Sequence, residues 1–494
     1  MRPDTALEEP GRPAAPSDSG AFRWLALVVL SLAQLMVILD STIVNIALPT
    51  AQRDLGFSTG DRQWVVTGYA LAFGSLLLLG GRLSDYLGRK RLFIAGVAGF
   101  AVASAVGGAA GGFAALLLAR VAQGVFAAML APAALSMLSV TFADDATERG
   151  RAFGIFGAIS GAGGALGLLL GGVLTQDLSW RWCLYVNLII AAVAFAGAVA
   201  FLRDGDRPER VRLDLSGTVA AVLGLVGVVY GLGNAESKGW TDFWTLGPVI
   251  AGVVLLSAFV LIERRVAHPL LPLRVLLGRV RGAAYLSVGI CGTGMFAVFL
   301  FLTYYLEETL RLTPIETGAA FLPMIGAVMV TSVFSGAVLL PRTGPRPLVP
   351  MGCVLAAAGM AMLTGIAANS TYAGGVLPAL LVTGLGFGMI FGPVQNAATS
   401  GVRPDEAGVA SALVNTAQQI GGSIGTAVFS SLTATAIADY LATHAATASD
   451  PATIAGATLA SDHLVFWVAS AVFLTCAALS ALLFRSGPLP VRPA

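Results

Sequence analysis

A carboxylate lies inside the first long apolar stretch of this chain. From Phe22 to Leu39 the only charge is Arg23 at the start, and Asp40 follows with apolar turns on both sides. An ionised carboxylate in low dielectric is costly, so it is paired, hydrated from a cavity or protonated, and each state suits a group that handles protons or a charged ligand. The alternative is a structural carboxylate near an interface, accepting bonds from Ser41 or Asn45. A second isolated charge, Arg120, stands in another apolar stretch, within Leu118-Ala119-Arg120-Val121-Ala122-Gln123-Gly124. A guanidinium does not shed its proton and needs a carboxylate, carbonyls or water. Arg120 is therefore expected to reach the Asp40 region and to help set proton release.

Three further constellations carry chemistry or motion. In Gly81-Arg82-Leu83-Ser84-Asp85-Tyr86-Leu87-Gly88-Arg89-Lys90-Arg91, Gly81 and Gly88 permit a tight turn. Asp85, Arg89 and Lys90 can there latch neighbouring helix ends. A topology signal alone explains the basic residues but neither the glycines nor the aspartate. Gly157, Gly161, Gly163, Gly167 and Gly171 fall in one apolar segment at spacings that allow close helix approach or bending, so this segment is either a gating helix or a static tight crossing. Asn45, Asn187, Glu307, Asn396, Asn415 and Gln418 are candidates for a central cavity, where a carboxylate with amides and aromatic neighbours suits an amphipathic cation. Glu307 and Glu308, beside Tyr304 and Tyr305, equally fit an outer interface.

The elements that position these residues are membrane spans. With 56% hydrophobic and 11% charged residues over 494 positions, the chain reads as an all-α polytopic membrane protein rather than a soluble enzyme. Apolar segments of spanning length fall at 22–47, 62–81, 91–111, 113–141, 150–175, 181–202, 213–233, 243–262, 281–306, 314–340, 346–369, 374–399, 405–437 and 461–484, a count of 14 transmembrane helices. Among the 29 Lys and Arg, only Arg53, Arg62, Arg181, Lys238 and Arg311 fall in the alternate set of loops, and Arg120 lies within a span. All the others share one side, which places both termini in the cytoplasm.

The expected divisions are a cytoplasmic N-terminal tail 1–21, a six-helix bundle 22–202, a linker region 203–280 with two extra helices, a six-helix bundle 281–484 with an outer loop at 441–462, and a cytoplasmic tail 485–494. The near-balance of 29 basic and 27 acidic residues argues against nucleic acid as a partner. Cys183, Cys291, Cys353 and Cys476 are scattered singly and read as packing residues rather than a metal or disulfide framework. No phosphate-binding glycine loop with its lysine appears, and His268, His444 and His463 lie in or beside loops, so no catalytic set can be placed and no cofactor is called for.

Leu39-Asp40-Ser41-Thr42-Ile43-Val44-Asn45-Ile46-Ala47-Leu48-Pro49, the Gly81–Arg91 loop, Arg120 with Gln123-Gly124, Ser179-Trp180-Arg181-Trp182 with Asn187, and Arg403 with Ala407-Gly408 and Asn415-Gln418 together resemble the major facilitator superfamily, and within it the fourteen-helix bacterial drug:proton antiporters. The resemblance implies two six-helix bundles with two additional central helices, alternating access, and proton-driven export of hydrophobic or amphipathic, often cationic compounds across a bacterial inner membrane. A monomer in the lipid bilayer with protons and a small molecule as partners is expected. Asp40 then serves coupling, Arg120 charge compensation, and Asp85 with Arg89 the latch. The rival expectations are an exporter dedicated to an endogenous metabolite, peptide or antibiotic, and a non-transporting sensor or scaffold. The chain departs from the family pattern at Gly164 and Leu168, where prolines are usual, at Leu188 after Asn187, and at Glu307, where glutamine is common.

Overall fold

The computed structural model describes residues 20–57, 59–203, 214–266, 269, 271–367, 369–403, 406–444, 447 and 450–487; the tails 1–19 and 488–494 and the segment 204–213 of the linker region fall outside the described residues. The first half comprises α1 (Gly20–Leu55), α2 (Thr59–Leu87), α3 (Arg89–Gly108), α4 (Phe113–Thr141), α5 (Ala146–Asp177) and α6 (Trp182–Phe201). A hairpin of α7 (Leu215–Lys238) and α8 (Phe243–Glu263) follows. The second half holds the short α9 (Leu273–Leu277), then α10 (Arg279–Tyr304), α11 (Pro314–Ala320), α12 (Leu322–Phe334), α13 (Leu340–Thr343), α14 (Pro345–Leu363), α15 (Leu377–Thr399), α16 (Ala407–Thr443) and α17 (Pro451–Leu483). Among the described residues, 13 helical runs are long and apolar enough to cross a membrane. The remaining expected span, 150–175, lies within α5, which is 32 residues or about 48 Å long.

Helix starts follow local chemistry. The Asp145, Asp214, Asp242 and Asp450 carboxylates accept backbone N–H groups in the first turns of α5, α7, α8 and α17, and Thr313 with Glu316 forms a capping box at α11. Gly88 separates α2 from α3 at φ 95°, a left-handed conformation that strains any side chain, so the break in the motif loop depends on glycine. Residues 441–462, expected as an outer loop, are helical over most of their described length. Hydropathy locates the bilayer core, whereas Ala-rich sequence continues a helix beyond it.

Within the first half α1 packs on α4, α5 and α6, and α4 on α2 and α3; within the second, α10 packs on α16 and α17, and α15 on α12 and α14. The halves meet along two seams, α2 against α16 and α5 against α11, α12 and α15, and the α7–α8 hairpin covers the first seam by packing on α2 and α16. Side-chain bonds identify two ends. At the near end, Arg23 at the start of α1 pairs with Glu148 at the start of α5 (3.6 Å), and Arg279 at the start of α10 donates to Leu483 O at the end of α17 (3.0 Å). At the far end, Arg181 pairs with Asp54 (3.0 Å) and donates to Ala110 O (2.7 Å).

Candidate functional site

Asp40 is fully buried on α1 and accepts from three side chains on two other helices. Arg120 Nη1 donates to Oδ2 at 2.6 Å, while Gln123 Nε2 and Asn187 Nδ2 donate to Oδ1 at 2.9 and 2.7 Å. Arg120 is 1% exposed; its Nε donates to Val65 O, its Nη1 also reaches Gln123 Oε1, and its guanidinium lies 4.4 Å from the Tyr69 ring centroid. Gln123 also donates to Ser104 Oγ at 2.8 Å, which ties in α3. Because α4 places Arg120 and Gln123 on adjacent turns, both face α1 together. Every hydrogen-bond partner of the carboxylate is a donor, so this arrangement fits the ionised form. A proton on either oxygen would meet an N–H, and at least one donor must turn away. Asn187 Oδ1 is buried without a hydrogen-bond partner, an acceptor that an amide turn would present to a neutral Asp40.

At the near end the motif loop reaches the other half. Asp85 Oδ1 accepts from Gly408 N–H at 3.1 Å, in the first turn of α16, and pairs with Arg89 at 3.5 Å. A carboxylate there satisfies a free helix-end donor and opposes the positive end of the helix dipole. A methyl group on Gly81 would lie 2.6 Å from both Ala412 Cβ and Gly408 O, so the close approach of α2 to α16 needs that glycine. Lys90 does not cross between the halves: its ammonium donates to Val199 O at 3.2 Å, at the end of α6. Asp85→Ala is expected to weaken closure of this seam by about 1–2 kcal/mol, a shift of roughly five- to thirtyfold. Amide exchange at Gly408 and Val409 should then accelerate relative to the α10 core; unchanged exchange would remove Asp85 from the latch.

The glycines of α5 serve two faces. Gly157 lies against Gly392 of α15, and a methyl there would be 2.7 Å from Gly392 N. Gly163, Gly167 and Gly171 face α1 instead, at Ile38, Thr42 with Leu39 O, and Ile43, directly beside Asp40. The six residues from 157 to 163 turn a helix by about 600°, which moves the second position well off the first face. Gly161 is on α5, but its surroundings lie outside the described residues.

The family model for the Major Facilitator Superfamily matches residues 30–426. The chain belongs to the major facilitator superfamily. The transporter is 48% identical over 466 residues to the puromycin resistance protein pur8 of Streptomyces alboniger, covering 94% of this chain and 92% of that one. It is 35% identical to the tetracenomycin C resistance and export protein of Streptomyces glaucescens, over 84% of this chain and 77% of that one. Among solved structures, the proton:xylose symporter XylE bound to 6-bromo-6-deoxy-D-glucose superposes with a TM-score of 0.65 over 95% of this chain and 97% of that chain, at 13% identity, a likeness of fold alone. The protein is a multi-pass membrane transporter and not an enzyme.

Among the described residues, the amide and acid side chains Asn187, Glu307, Asn396, Asn415 and Gln418 are not gathered into one place. Asn187 belongs to the Asp40 network. Asn396 accepts from Arg149 Nε at 2.9 Å at the near end, while Glu307 lies partly buried in a π-helical turn, Tyr305–Thr309, after α10. Tyr285 O–H donates to Ala398 O, which aligns the start of α10 with the end of α15 and puts Asn396 and Glu307 roughly 30 Å apart along the bundle. One drug-sized ligand does not touch both. Asn415 donates to Ser411 O within its own helix, and Gln418 is partly buried on the same helix, α16. The Asn45 side chain lies outside the described residues. A small apolar cleft lined by Val44, Ala47, Leu48, Leu116, Trp180 and Leu184 lies one turn beyond Asp40. Its cavity volume of about 10 Å³ admits no more than a water molecule, far short of the 300–1,000 Å³ usual for a drug-sized ligand.

Sequence reasoning passed over Arg149. From the start of α5 it donates to Asn396, to Thr399 Oγ1 (3.1 Å) and to Ser139 Oγ (3.3 Å), a second tie between the halves at the near end. Its neighbour Arg151 and the adjacent loop made it look like a topology charge. The expected isolation of the cysteines also fails for three of the four: Cys291, Cys353 and Cys476 bring their sulfurs within 4.8 Å of one another.

Proposed function

We propose that this transporter is a proton-coupled antiporter that exports amphipathic drug-like compounds, cationic ones among them, by rocking two six-helix bundles about the α2–α16 and α5–α12 seams. It works in the bacterial inner membrane with both termini, and hence the near end, in the cytoplasm. The observation that carries this reading is the all-donor shell around Asp40. Proton arrival there disrupts the Arg120 pair, Asn187 turns its free carbonyl toward the neutral acid, and the change passes to α5 through the glycine contacts on either side of Asp40. Each elementary charge entering through 100 mV supplies about 2.3 kcal/mol, enough to oppose a concentration gradient without nucleotide.

Puromycin is the first probe, given the 48% identity to pur8. Proteoliposomes holding the purified protein should move puromycin against its gradient when a pH difference is imposed, and the flux should stop when an ionophore collapses it. Flux that ignores the pH difference would rule out coupling. A second reading, export dedicated to one endogenous antibiotic, is favoured by relatives named for single compounds, such as the cephamycin export protein CmcT of Amycolatopsis lactamdurans, 38% identical over 83% of this chain and 84% of that one. Under that reading one compound of a broad panel is carried at least about tenfold faster than all others.

A further inference from the structure

Cys291 on α10, Cys353 on α14 and Cys476 on α17 come from three helices of the second half and are 0%, 0% and 1% exposed within the main apolar core. Cys291 and Cys476 sulfurs are 3.8 Å apart, and all three sulfurs lie within 4.8 Å of one another. An atom about 2.3 Å from each of three sulfurs, the length of a typical zinc–thiolate bond, spans pairs of sulfurs up to roughly 4.0 Å apart, so small side-chain rotations close the set around one centre. Two sulfurs at that distance are ordinary packing. Three converging from separate helices form a chelating set.

Net charge decides which centre suits the place. A monovalent ion on three thiolates leaves a charge of −2 in the apolar core and a divalent ion leaves −1, and each must first shed its water shell. A trivalent thiophile leaves none. We propose that Cys291, Cys353 and Cys476 form a trithiol site for trivalent arsenic, which enters as the neutral trihydroxide. The reaction is As(OH)₃ + 3 RSH → As(SR)₃ + 3 H₂O. Three As–S bonds replace three As–O bonds, each thiol proton leaves with a hydroxide as water, and no electron is transferred. The Cys476 S–H, which points to Ser287 O at 3.7 Å, is released from that weak bond. All three ligands lie in one half, so the bound centre ties α10, α14 and α17 together without bridging the halves.

The test uses full-length protein in detergent, with a phosphine reductant that keeps the thiols free, equilibrated with sodium arsenite and then gel-filtered. Retained arsenic should approach one per chain in the native protein and in Cys183→Ser, whose sulfur on α6 lies beside Thr175 Oγ1 at 3.3 Å and outside the three-cysteine cluster. X-ray absorption at the arsenic edge should show three sulfur neighbours. Cys291→Ser, Cys353→Ser and Cys476→Ser should each retain about tenfold less or lower, because losing one arm of a chelate forfeits its effective concentration. No retained arsenic, oxygen neighbours at the arsenic edge, or equal loss in Cys183→Ser would overturn the proposal. Zinc bound at equal stoichiometry and concentration would overturn the charge argument. The absorption measurement on native protein needs no variant, so it stands even where a serine variant fails to fold.

Discussion

Asp40→Asn is expected to lower export driven by a pH gradient by about a hundredfold or more, close to 2.7 kcal/mol of driving interaction, at matched density in liposomes. The amide keeps the shape of the carboxylate and still accepts a bond at one oxygen, but it carries neither the charge that holds Arg120 nor a titrating proton. Asp40→Glu, which retains both, should restore part of the coupling. Arg120→Ala tests the same pair from the other side. It leaves a carboxylate that is 0% exposed without its counter-charge, and breaking a buried pair in this way costs about 3–5 kcal/mol. Its melting midpoint should fall well below that of the native protein. The double variant Asp40→Asn/Arg120→Gln removes both charges and should recover much of the lost stability while transport stays uncoupled. That split distinguishes coupling from a purely structural bridge: normal pH-driven export in Asp40→Asn, or recovery of coupling along with stability in the double variant, would exclude Asp40 as the coupling group.

The Asp40–Arg120 pair was legible in the sequence because two charges stranded in apolar helices each demand compensation, and that cost is visible without coordinates. Asn187 was not legible in its true place, since a neutral amide makes no comparable demand and fits a cavity wall as well as a carboxylate's shell. The fold was read from apolar spans and loop charge, which report where helices cross but not where they end; hence the missed extension of α16 and α17 into 441–462. The glycines of α5 look like one stripe when counted in fours. The structure divides them because Gly157 and Gly163 differ by a register that the count ignores. The cysteine cluster joins residues more than a hundred positions apart in part, and no local spacing encodes that meeting.

The two ends of the α5 seam make opposite demands on motion, and glycine substitutions should expose them. A methyl on Gly150 would stand 2.0 Å from Gly336 O, at the near end, within the π-helical turn Ser335–Leu339 that packs on α5. A methyl on Gly318 of α11 would stand 2.6 Å from Leu169 Cα, toward the far end. Both neighbours are backbone, so neither contact is relieved by a side-chain rotation; the helices must part. Overpacking of this kind costs about 1–3 kcal/mol, enough to shift a two-state balance by about 5- to 150-fold. Gly150→Ala should therefore favour the conformation open at the near end and Gly318→Ala the one open at the far end, since each strains only the state in which its own end is closed. Spin labels on Leu87→Cys and Leu277→Cys, positions 47% and 72% exposed at the near end, report the choice as a distance distribution. The pair should move apart in Gly150→Ala and stay together in Gly318→Ala, and export should slow about tenfold or more in both because each cycle visits both states. Identical distributions in the two variants would show that α5 is a fixed crossing and that the rocking axis lies elsewhere.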